Sequence, residues 1–320
     1  MNVKRITKYL DPFVLCLLMV IALAFLFPNG AETFCLAELT SVGISGIFFL
    51  YGLKLSIAEV TNGLKNYPLH ILVQLSTFVL FPAIIWILKP VLSLWIGDTF
   101  WMGLFYLSAL PSSVSSSVIM VSLAKGNVPS AIFNASISGI IGVFATPLWM
   151  GLVMYQQENV SLQGIFLKLT LQILVPLVIG LSLNKKYGTW AQQKKRFITL
   201  YDKTIIVLIV YSSFCKSILT DVFLGISLLQ ILYLGIVIVA LFWIMMGMIY
   251  SFARLLRLNL ADQITAMFCG SKKSLIHGSA ILKILFVNNP NASLFLLPVM
   301  LYHTIQLMIL AVIANRLGNR

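Results

Sequence analysis

The feature that most constrains this chain is a series of ten apolar segments, each about as long as a helix needs to be to cross a bilayer. A spanning helix takes about 20 apolar residues, and the 320-residue chain is 60% hydrophobic and only 10% charged. We therefore predict an all-α integral membrane protein with ten transmembrane helices. The predicted spans cover residues 12–28, 36–53, 68–88, 100–123, 128–154, 164–183, 204–219, 226–250, 263–286 and 293–315.

The basic residues between these spans predict the orientation. With both termini in the cytoplasm, sixteen Lys and Arg residues lie on the inside, and only Lys89, Lys168, Lys216 and Lys283 lie outside. This positive-inside bias supports the orientation and the count of spans. We expect the protein in the plasma membrane, or in the inner membrane of a Gram-negative bacterium. The net charge of +13 comes from scattered residues, so we expect the lipid bilayer as a partner and no nucleic acid.

The ten spans divide into five and five, and the longest polar connection, residues 184–203, follows the sixth span. Because each half has an odd number of spans, the second half is predicted to be inverted relative to the first. We predict a first five-helix repeat over 1–183, a basic cytoplasmic loop over 184–203 and the remainder of the second repeat over 204–320. The second repeat begins near residue 164. In transporters built from inverted repeats, binding sites lie where matching helices of the two halves are discontinuous.

The fourth span of each half carries such an interruption. The first contains Pro111 and a run of serines, and the second contains CGSKKSLIHG, residues 269–278. Small residues and a lone proline also occur at ordinary helix contacts, but their matched positions predict a functional site with two discontinuous, crossing helices 4 and 9. The candidate residues from these stretches are Ser112, Ser113, Ser116, Ser117, Ser271, Lys272, Lys273 and Ser274.

Lys272 and Lys273 are deep in the membrane by this prediction, whereas all nine carboxylates fall in loops or at span ends. Three roles remain open for the two lysines. They could attract an anionic substrate. One could carry a proton, because burial disfavours the charged form of an amine. One could instead hydrogen-bond the carbonyls of the other broken helix. If they are helical, the two side chains point about 100° apart, so one is expected to face the crossover.

His277 and His303 also lie in apolar spans. A lone histidine within the membrane is more often a hydrogen-bonded packing residue than a functional group, and His277 is open to either interpretation. His303 and Gln306 are three residues apart on one helix face, so this pair is expected near the crossover. The four cysteines form no C-x-x-C motif, and we predict no metal site, disulfide or cofactor.

Several motifs together resemble the bile acid:sodium symporter family. They are LDPF (10–13), STFVLFP (76–82), PSSVSSSVI (111–119), AIFNAS (131–136), FCGSKKSL (268–275) and YHTIQL (302–307). The resemblance implies a core domain of spans 3–5 and 8–10, and a panel domain of spans 1, 2, 6 and 7. It also implies secondary transport of a small organic anion. Asn134 and Ser136 join the candidates for the substrate or ion path.

The resemblance does not extend to the sodium ligands. In register with the family, its oxygen-bearing positions fall on Cys269, Lys273, Ala131, Ala135 and Thr77. A hard cation needs several oxygen ligands, so the resemblance implies transport that is independent of sodium or coupled to protons. We predict that the Lys273 ammonium replaces the ion and bridges the broken helices through oxygens near Ser116 and Ser117.

Two other classes of function stay open. A branch of the family is linked to cellular calcium regulation, so the chain could be a membrane regulator of ion homeostasis that acts through partners. A Ser-Lys pair drawn from Ser116, Ser117, Ser271 or Ser274 with Lys273 could make a hydrolase, although no oxyanion loop is visible, and we predict that the chain is not an enzyme. The sequence does not fix the oligomeric state.

Overall fold

The structure, a computed structural model, describes residues 12–55, 66–154, 162–286 and 289–319. Within these ranges the regular secondary structure is helical, with no strand. The helices of the first part are α1 (Pro12–Leu26), α2 (Gly30–Thr33), α3 (Leu36–Lys54), α4 (Tyr67–Leu75), α5 (Phe81–Ile87), α6 (Lys89–Ala109), α7 (Val114–Leu123) and α8 (Val128–Met154). Those of the second part are α9 (Leu162–Leu169), α10 (Val175–Gln193), α11 (Lys195–Leu219), α12 (Leu228–Leu255), α13 (Leu260–Ser271), α14 (Leu275–Leu285) and α15 (Ala292–Gly318).

Two π-helical turns join neighbouring helices without interrupting them. Ser76–Leu80 connects α4 to α5, and Thr170–Leu174 connects α9 to α10. Each turn is followed by a proline within the first two positions of the next helix. Because proline has no N–H, each turn leaves backbone carbonyls that need another donor.

Eight of the described helical segments are long and apolar enough to cross a membrane. The first predicted span is a shorter apolar helix, Pro12–Leu26, and the ninth predicted span is divided between α13 and α14. The chain is therefore an integral membrane protein, and the division into ten spans stays a prediction.

The predicted loop at 184–203 is helical. α10 continues to Gln193 and α11 begins at Lys195, so only Lys194 lies between them. Lys, Gln, Ala and Arg are good helix formers, and the polar extension is tied down by Asn184, whose Nδ2 donates to the carbonyl of Leu53 at 2.6 Å. Hydropathy marks the end of the apolar stretch, and here the helix runs past it.

The described residues group into two compact units. The first unit comprises Met1–Ser56, Val153–Ile226 and Gly278–Ser293. Its closest packing is between α3 and α10, where a Cβ added at Gly52 would lie 2.3 Å from the carbonyl oxygen of Leu177, and one at Gly180 would lie 2.1 Å from that of Phe49. Such small residues let the backbones of membrane helices approach closely.

The second unit comprises Ile57–Leu152, Ser227–His277 and Leu294–Arg320. Here α6 is kinked at Gly97, whose φ of +79° is accessible to glycine at little cost. After the kink, every residue from Phe100 to Leu110 is buried. The indole N–H of Trp101 donates to the carbonyl of Ile85 at 3.1 Å, so a polar group in this apolar core is satisfied within the unit.

Candidate functional site: two hydrogen-bonded helix breaks

The second unit contains two helix interruptions, which we call the first break (Leu110–Ser113) and the second break (Lys272–Ser274). At the first, α6 ends at Ala109 and α7 begins at Val114. Pro111 excludes a continuous helix and favours an extended residue before it, and Leu110 is extended (φ −72°, ψ 151°). The interruption therefore lies where the proline predicted it.

The second break has no proline. α13 ends at Ser271, and Lys272 is extended (φ −85°, ψ 147°). α14 then restarts at Leu275, and the backbone N–H of His277 donates to Ser274 Oγ at 3.3 Å, which is the pattern of an N-cap serine. Ser274 Oγ also lies 2.9 Å from His277 Nδ1. Ser274 and His277 therefore hold the start of α14.

The two breaks are hydrogen-bonded to each other. The backbone N–H of Ser274 donates to the carbonyl of Pro111 at 2.9 Å, and Ser112 Oγ donates to the carbonyl of Cys269 at 2.7 Å. In a low-dielectric interior, a backbone group that lacks a partner is costly. Each break thus supplies donors that the other one needs.

Side chains from neighbouring helices satisfy further backbone groups at the first break. The backbone N–H of Ser112 donates to Ser138 Oγ at 2.9 Å, and Thr146 Oγ1 donates to the carbonyl of Ala109 at 2.7 Å. Both side chains lie on α8, and sequence reasoning missed them. They follow the AIFNAS motif, but serines and threonines are too common in membrane helices to single these two out.

Helix α15 does the same for the second break. Gln306 accepts from the backbone N–H of Lys273 at 2.9 Å and donates to the carbonyl of Lys273 at 2.8 Å. Tyr302 donates its hydroxyl to the carbonyl of Ser271 at 2.6 Å, and His303 Nδ1 lies 3.0 Å from Gln306 Nε2. The His303–Gln306 pair is at the breaks, where the sequence predicted it. Tyr302 was not among the predicted residues.

Lys273 is the central cation of this arrangement. Its side chain is 1% exposed, and its Nζ donates to the carbonyls of Thr77 at 2.9 Å, Ser108 at 2.6 Å and Leu110 at 2.8 Å. The ammonium also lies 4.4 Å from the centre of the Phe81 ring, a favourable cation–π distance. An ammonium has three N–H donors, so these carbonyls occupy all of them.

Each of these three carbonyls has lost its helical donor. The π-helical partner of the Thr77 carbonyl would be Pro82, which has no N–H, and the N–H of Phe81 bonds to Ser76 instead. The helical donor for Ser108 would be Ser112, whose N–H bonds to Ser138. Leu110 lies beyond the end of α6. Ser108 and Leu110 are also at the C-terminal end of that helix, where its dipole favours a cation.

The position of the Lys273 ammonium corrects one prediction. We expected it near Ser116 and Ser117, but its hydrogen bonds go to backbone carbonyls ahead of Pro111. Ser116 Oγ instead donates to Ser113 Oγ at 3.0 Å, and Ser117 Oγ is buried without a hydrogen-bond partner among the described residues. Carbonyls attract the ammonium more strongly than neutral hydroxyls do, because the helix end adds its partial negative charge.

Lys272 differs from its neighbour. Its side chain is 0% exposed, and its Nζ has no hydrogen-bond partner among the residues that the structure describes. Because Lys272 is extended and not helical, successive side chains point to opposite sides, and not 100° apart as we expected. The buried amine of Lys272 therefore has no hydrogen-bond partner among the described residues, whereas that of Lys273 next to it has three.

The side chains of the remaining candidates are not joined to the breaks by any of these hydrogen bonds. The Thr77 hydroxyl bonds to Val73 in its own helix, so Thr77 contributes its carbonyl and not its side chain. Asn134 Nδ2 lies 2.9 Å from His70 Nδ1, and Gln74 Nε2 donates to Asn134 Oδ1 at 3.2 Å. Ser136 is buried, and Ser271 Oγ bonds back to the carbonyl of Met267. Asn134 thus belongs to a separate polar cluster, of which sequence reasoning missed His70 and Gln74.

Comparison with known proteins decides the class of the molecule. A model of the SBF-like CPA transporter family matches residues 11–319. The chain belongs to this family. Family membership confirms the resemblance drawn from the motifs and points to transport and not to enzymatic activity.

Its relatives are matched over most of their length. The candidate symporter YfeH of Escherichia coli is 36% identical over 318 residues, which are 98% of this chain and 94% of YfeH. Sodium/bile acid cotransporter 7-A of Xenopus laevis is 33% identical over 307 residues, 93% of this chain and 88% of that protein. Sodium/bile acid cotransporter 7 of Mus musculus is 32% identical over 274 residues, 84% and 79% respectively.

The Ser-Lys pair that a hydrolase would need is not formed by Lys273. The hydrogen bonds of Lys273 Nζ go to three carbonyls and not to a serine hydroxyl. An amine whose N–H groups are all held by carbonyls is not positioned to take a proton from a nucleophile. The geometry therefore agrees with a transport protein.

Proposed function

We propose that the chain is a secondary transporter of a small organic anion in which the Lys273 ammonium takes the place of a coupling sodium ion. The observation that carries the proposal is the set of three carbonyls on Lys273 Nζ. Backbone carbonyls are also good ligands for a hard cation, and here a side chain occupies them.

The side chains around the breaks support independence from sodium. Ala131 and Ala135 are fully buried and have no oxygen in their side chains, and Cys269, also buried, offers a thiol. These three positions correspond to oxygen-bearing ones in the sodium-binding members that the motifs resemble. A sodium ion needs several oxygens at once, so the loss of three ligand positions together with the gain of a fixed cation favours a transporter that does not bind it.

Lys272 is the residue that we assign to the substrate or to a proton. Its amine is buried and has no hydrogen-bond partner among the described residues, whereas the N–H groups of Lys273 are all occupied. A buried amine without a partner is stabilised by an approaching anion or by loss of its proton. The proposal therefore gives the two adjacent lysines separate tasks: Lys273 holds the breaks, and Lys272 interacts with what is transported.

The predicted architecture is part of the same proposal. We propose ten spans in two inverted repeats, with both termini in the cytoplasm and the protein in a plasma or inner membrane. The membership of the second unit supports this plan, because it contains predicted spans 3–5, 8 and 10 and the first half of span 9. Both breaks belong to it.

The proposal is tested by the melting temperature of the detergent-purified protein in sodium chloride and in choline chloride. A ligand that binds only the folded state raises the melting temperature, so we expect equal values in the two salts. Stabilisation of the wild type by sodium would contradict the proposal. The same measurement across a pH series, wild type beside Lys272→Gln, tests proton coupling: a pH-dependent shift confined to the wild type assigns the titration to Lys272.

A further inference from the structure

The first unit contains a second polar feature, a cavity of about 880 Å³, which is within the size range of small-molecule sites. Helices α3, α11 and α14 contribute to its wall, together with α2 and the end of α9. Its charged and polar lining residues are Glu32, Cys35, Glu38, Ser41, Lys168, Gln172, Ser212, Lys216, Thr220 and Lys283. Nothing assigned to the breaks above involves these residues.

The three lysines come from three different helices. Lys168 lies on α9, Lys216 on α11 and Lys283 on α14. They are three of the four basic residues that the sequence predicts on the outer side of the membrane. Independent placement of a lysine on three walls of one cavity is unusual in a chain with only 10% charged residues, because each buried or half-buried charge is costly in a membrane.

Two of these lysines act on each other. Lys283 experiences repulsion from Lys216 and attraction from Glu38. Its Nζ donates to Ser212 Oγ at 3.1 Å, which uses one of the three donors of an ammonium. Like charges in a half-buried setting destabilise each other and are relieved by an anion between or beside them. The cavity lining contains three lysines and the two carboxylates of Glu32 and Glu38, so one positive formal charge is left over.

A hydrogen bond links two of the segments that line the cavity. Gln172 Nε2, in the π-helical turn after α9, donates to Ser41 Oγ on α3 at 2.8 Å. Ser212 and Lys216 on α11 and Thr220, the residue after its end, follow one another at intervals of four residues and so lie on one side of the helix. Several polar lining residues are thus grouped along α11, and two others are joined by a hydrogen bond.

We propose that this cavity is a capture site for a small organic carboxylate, with Lys216 and Lys283 as the groups that bind its oxygens. The inference rests on the proposed function and deepens it by naming the substrate class and a site at which the substrate first binds on the outer side. Glu38 sets the strength of the site, because its carboxylate competes with the ligand for Lys283. Lys168 adds positive charge at the α9 wall.

Cys35 provides a local readout. It lines the cavity and is exposed, whereas Cys215 and Cys269 are buried. The experiment measures the rate at which a thiol-reactive maleimide labels Cys35 in the purified full-length protein carrying Cys16→Ser, with potassium succinate as the probe and potassium chloride at equal ionic strength as the reference. Succinate at about 10 mM exceeds a dissociation constant of about 1 mM tenfold. We therefore expect labelling to slow by about tenfold.

Variants of the cavity residues distinguish binding of succinate by the lysine charges from a purely structural role of these lysines. Lys216→Gln and Lys283→Gln should weaken the protection by about tenfold, Lys283→Arg should keep it, and Glu38→Gln should strengthen it. Lys89→Gln is the matched control, since Lys89 is predicted on the same side of the membrane but does not line the cavity. A role of these lysines in structure alone would leave the ligand-dependent change in rate intact.

Two results would overturn the proposal. One is a labelling rate of wild-type Cys35 that succinate does not change. The other is protection that persists in Lys216→Gln and Lys283→Gln but is lost in Lys272→Gln, since succinate would then act from the breaks. Either result leaves the proposed function standing, because that function is tested separately by the response to sodium.

Discussion

The breaks of the second unit and the cavity of the first unit use lysines in opposite ways. At the breaks, Lys273 is enclosed and every N–H of its ammonium is bonded to a backbone carbonyl. In the cavity, Lys216 and Lys283 repel each other, and Lys283 donates to a single serine hydroxyl. The first arrangement is complete without a ligand, whereas under the proposed capture site the second becomes more favourable when an anion binds. A buried lysine whose donors are all bonded to backbone carbonyls, as in Lys273, therefore does not by itself indicate a ligand site.

Replacing Lys273 is the most direct test of this difference between the two regions. Lys273→Gln removes the ammonium and leaves three buried carbonyls to share at most two donors, and the loss of one partner of a buried charged group costs about 3–5 kcal/mol. We expect failure to obtain a monodisperse protein, or a large fall in melting temperature. The matched control is the adjacent Lys272→Gln, which removes an amine without a described partner and should cost much less. Equal losses in the two variants would contradict the distinction.

Gln306 tests whether the second break depends on α15. Gln306→Leu removes both hydrogen bonds to the backbone of Lys273 and leaves a buried N–H and carbonyl unpaired, at a cost of about 1–3 kcal/mol. Thr304→Val is the control on the same helix, because Thr304 Oγ1 bonds only to the carbonyl of Met300 one turn earlier. Thermal unfolding of the two variants in one detergent measures the difference. A Gln306→Leu protein as stable as Thr304→Val would show that the break is held without this side chain.

A substitution at Pro82 tests why the Thr77 carbonyl is available to Lys273. Pro82→Ala supplies the N–H that the π-helical turn lacks, so Thr77 should depend less on Lys273. We expect Lys273→Gln to be less destabilising in the Pro82→Ala background, with a coupling of about 1 kcal/mol in a double-mutant cycle. If Lys273→Gln gives no soluble protein, Lys273→Arg serves in its place. Strict additivity would mean that the lost donor is not what makes this carbonyl available.

The smallest effect is expected in the cavity. Lys283→Gln loses one hydrogen bond to Ser212 and relieves the repulsion with Lys216, two changes that oppose each other. We expect a stability change within about 0.5 kcal/mol in the absence of ligand, as for most partly exposed substitutions. Melting in potassium chloride, without any carboxylate, measures it. A loss as large as that of Gln306→Leu would mean that Lys283 is a structural residue like Lys273.

The sequence located the breaks because their residues have recognisable chemistry. Pro111 excludes a regular helix, and two lysines in an apolar segment demand an explanation. The partners of Lys273 could not be predicted, because they are backbone carbonyls and every residue has one. Only the π-helical turn before Pro82 and the end of α6 make these three available, and neither the turn nor the exact helix end has a sequence signature. Ser138, Thr146 and Tyr302 were missed for a similar reason: their role depends on a neighbour far away in the chain.

The cavity shows a different limit of sequence reasoning. Lys168, Lys216 and Lys283 were placed on one side of the membrane by counting charges, and Glu32 and Glu38 were recognised as lying outside the apolar core. Nothing in their spacing indicated that they meet, because they lie on separate helices with more than a hundred residues between the most distant of them. A charge pattern predicts the side of the membrane on which a residue lies, whereas its contacts with residues of other helices depend on tertiary packing.

The covalent attachment of the Lys273 ammonium has an electrical consequence. Under the proposed function, a bound sodium ion would travel with the substrate and offset its charge, whereas a side chain stays behind when the substrate leaves. A monovalent anion that crosses unaccompanied then moves one negative charge per cycle. Each elementary charge moved through 100 mV is worth about 2.3 kcal/mol, so an inside-negative voltage would drive such an anion out of the cell. The residue at position 273 would thereby make the net direction of transport depend on membrane potential and not on a salt gradient.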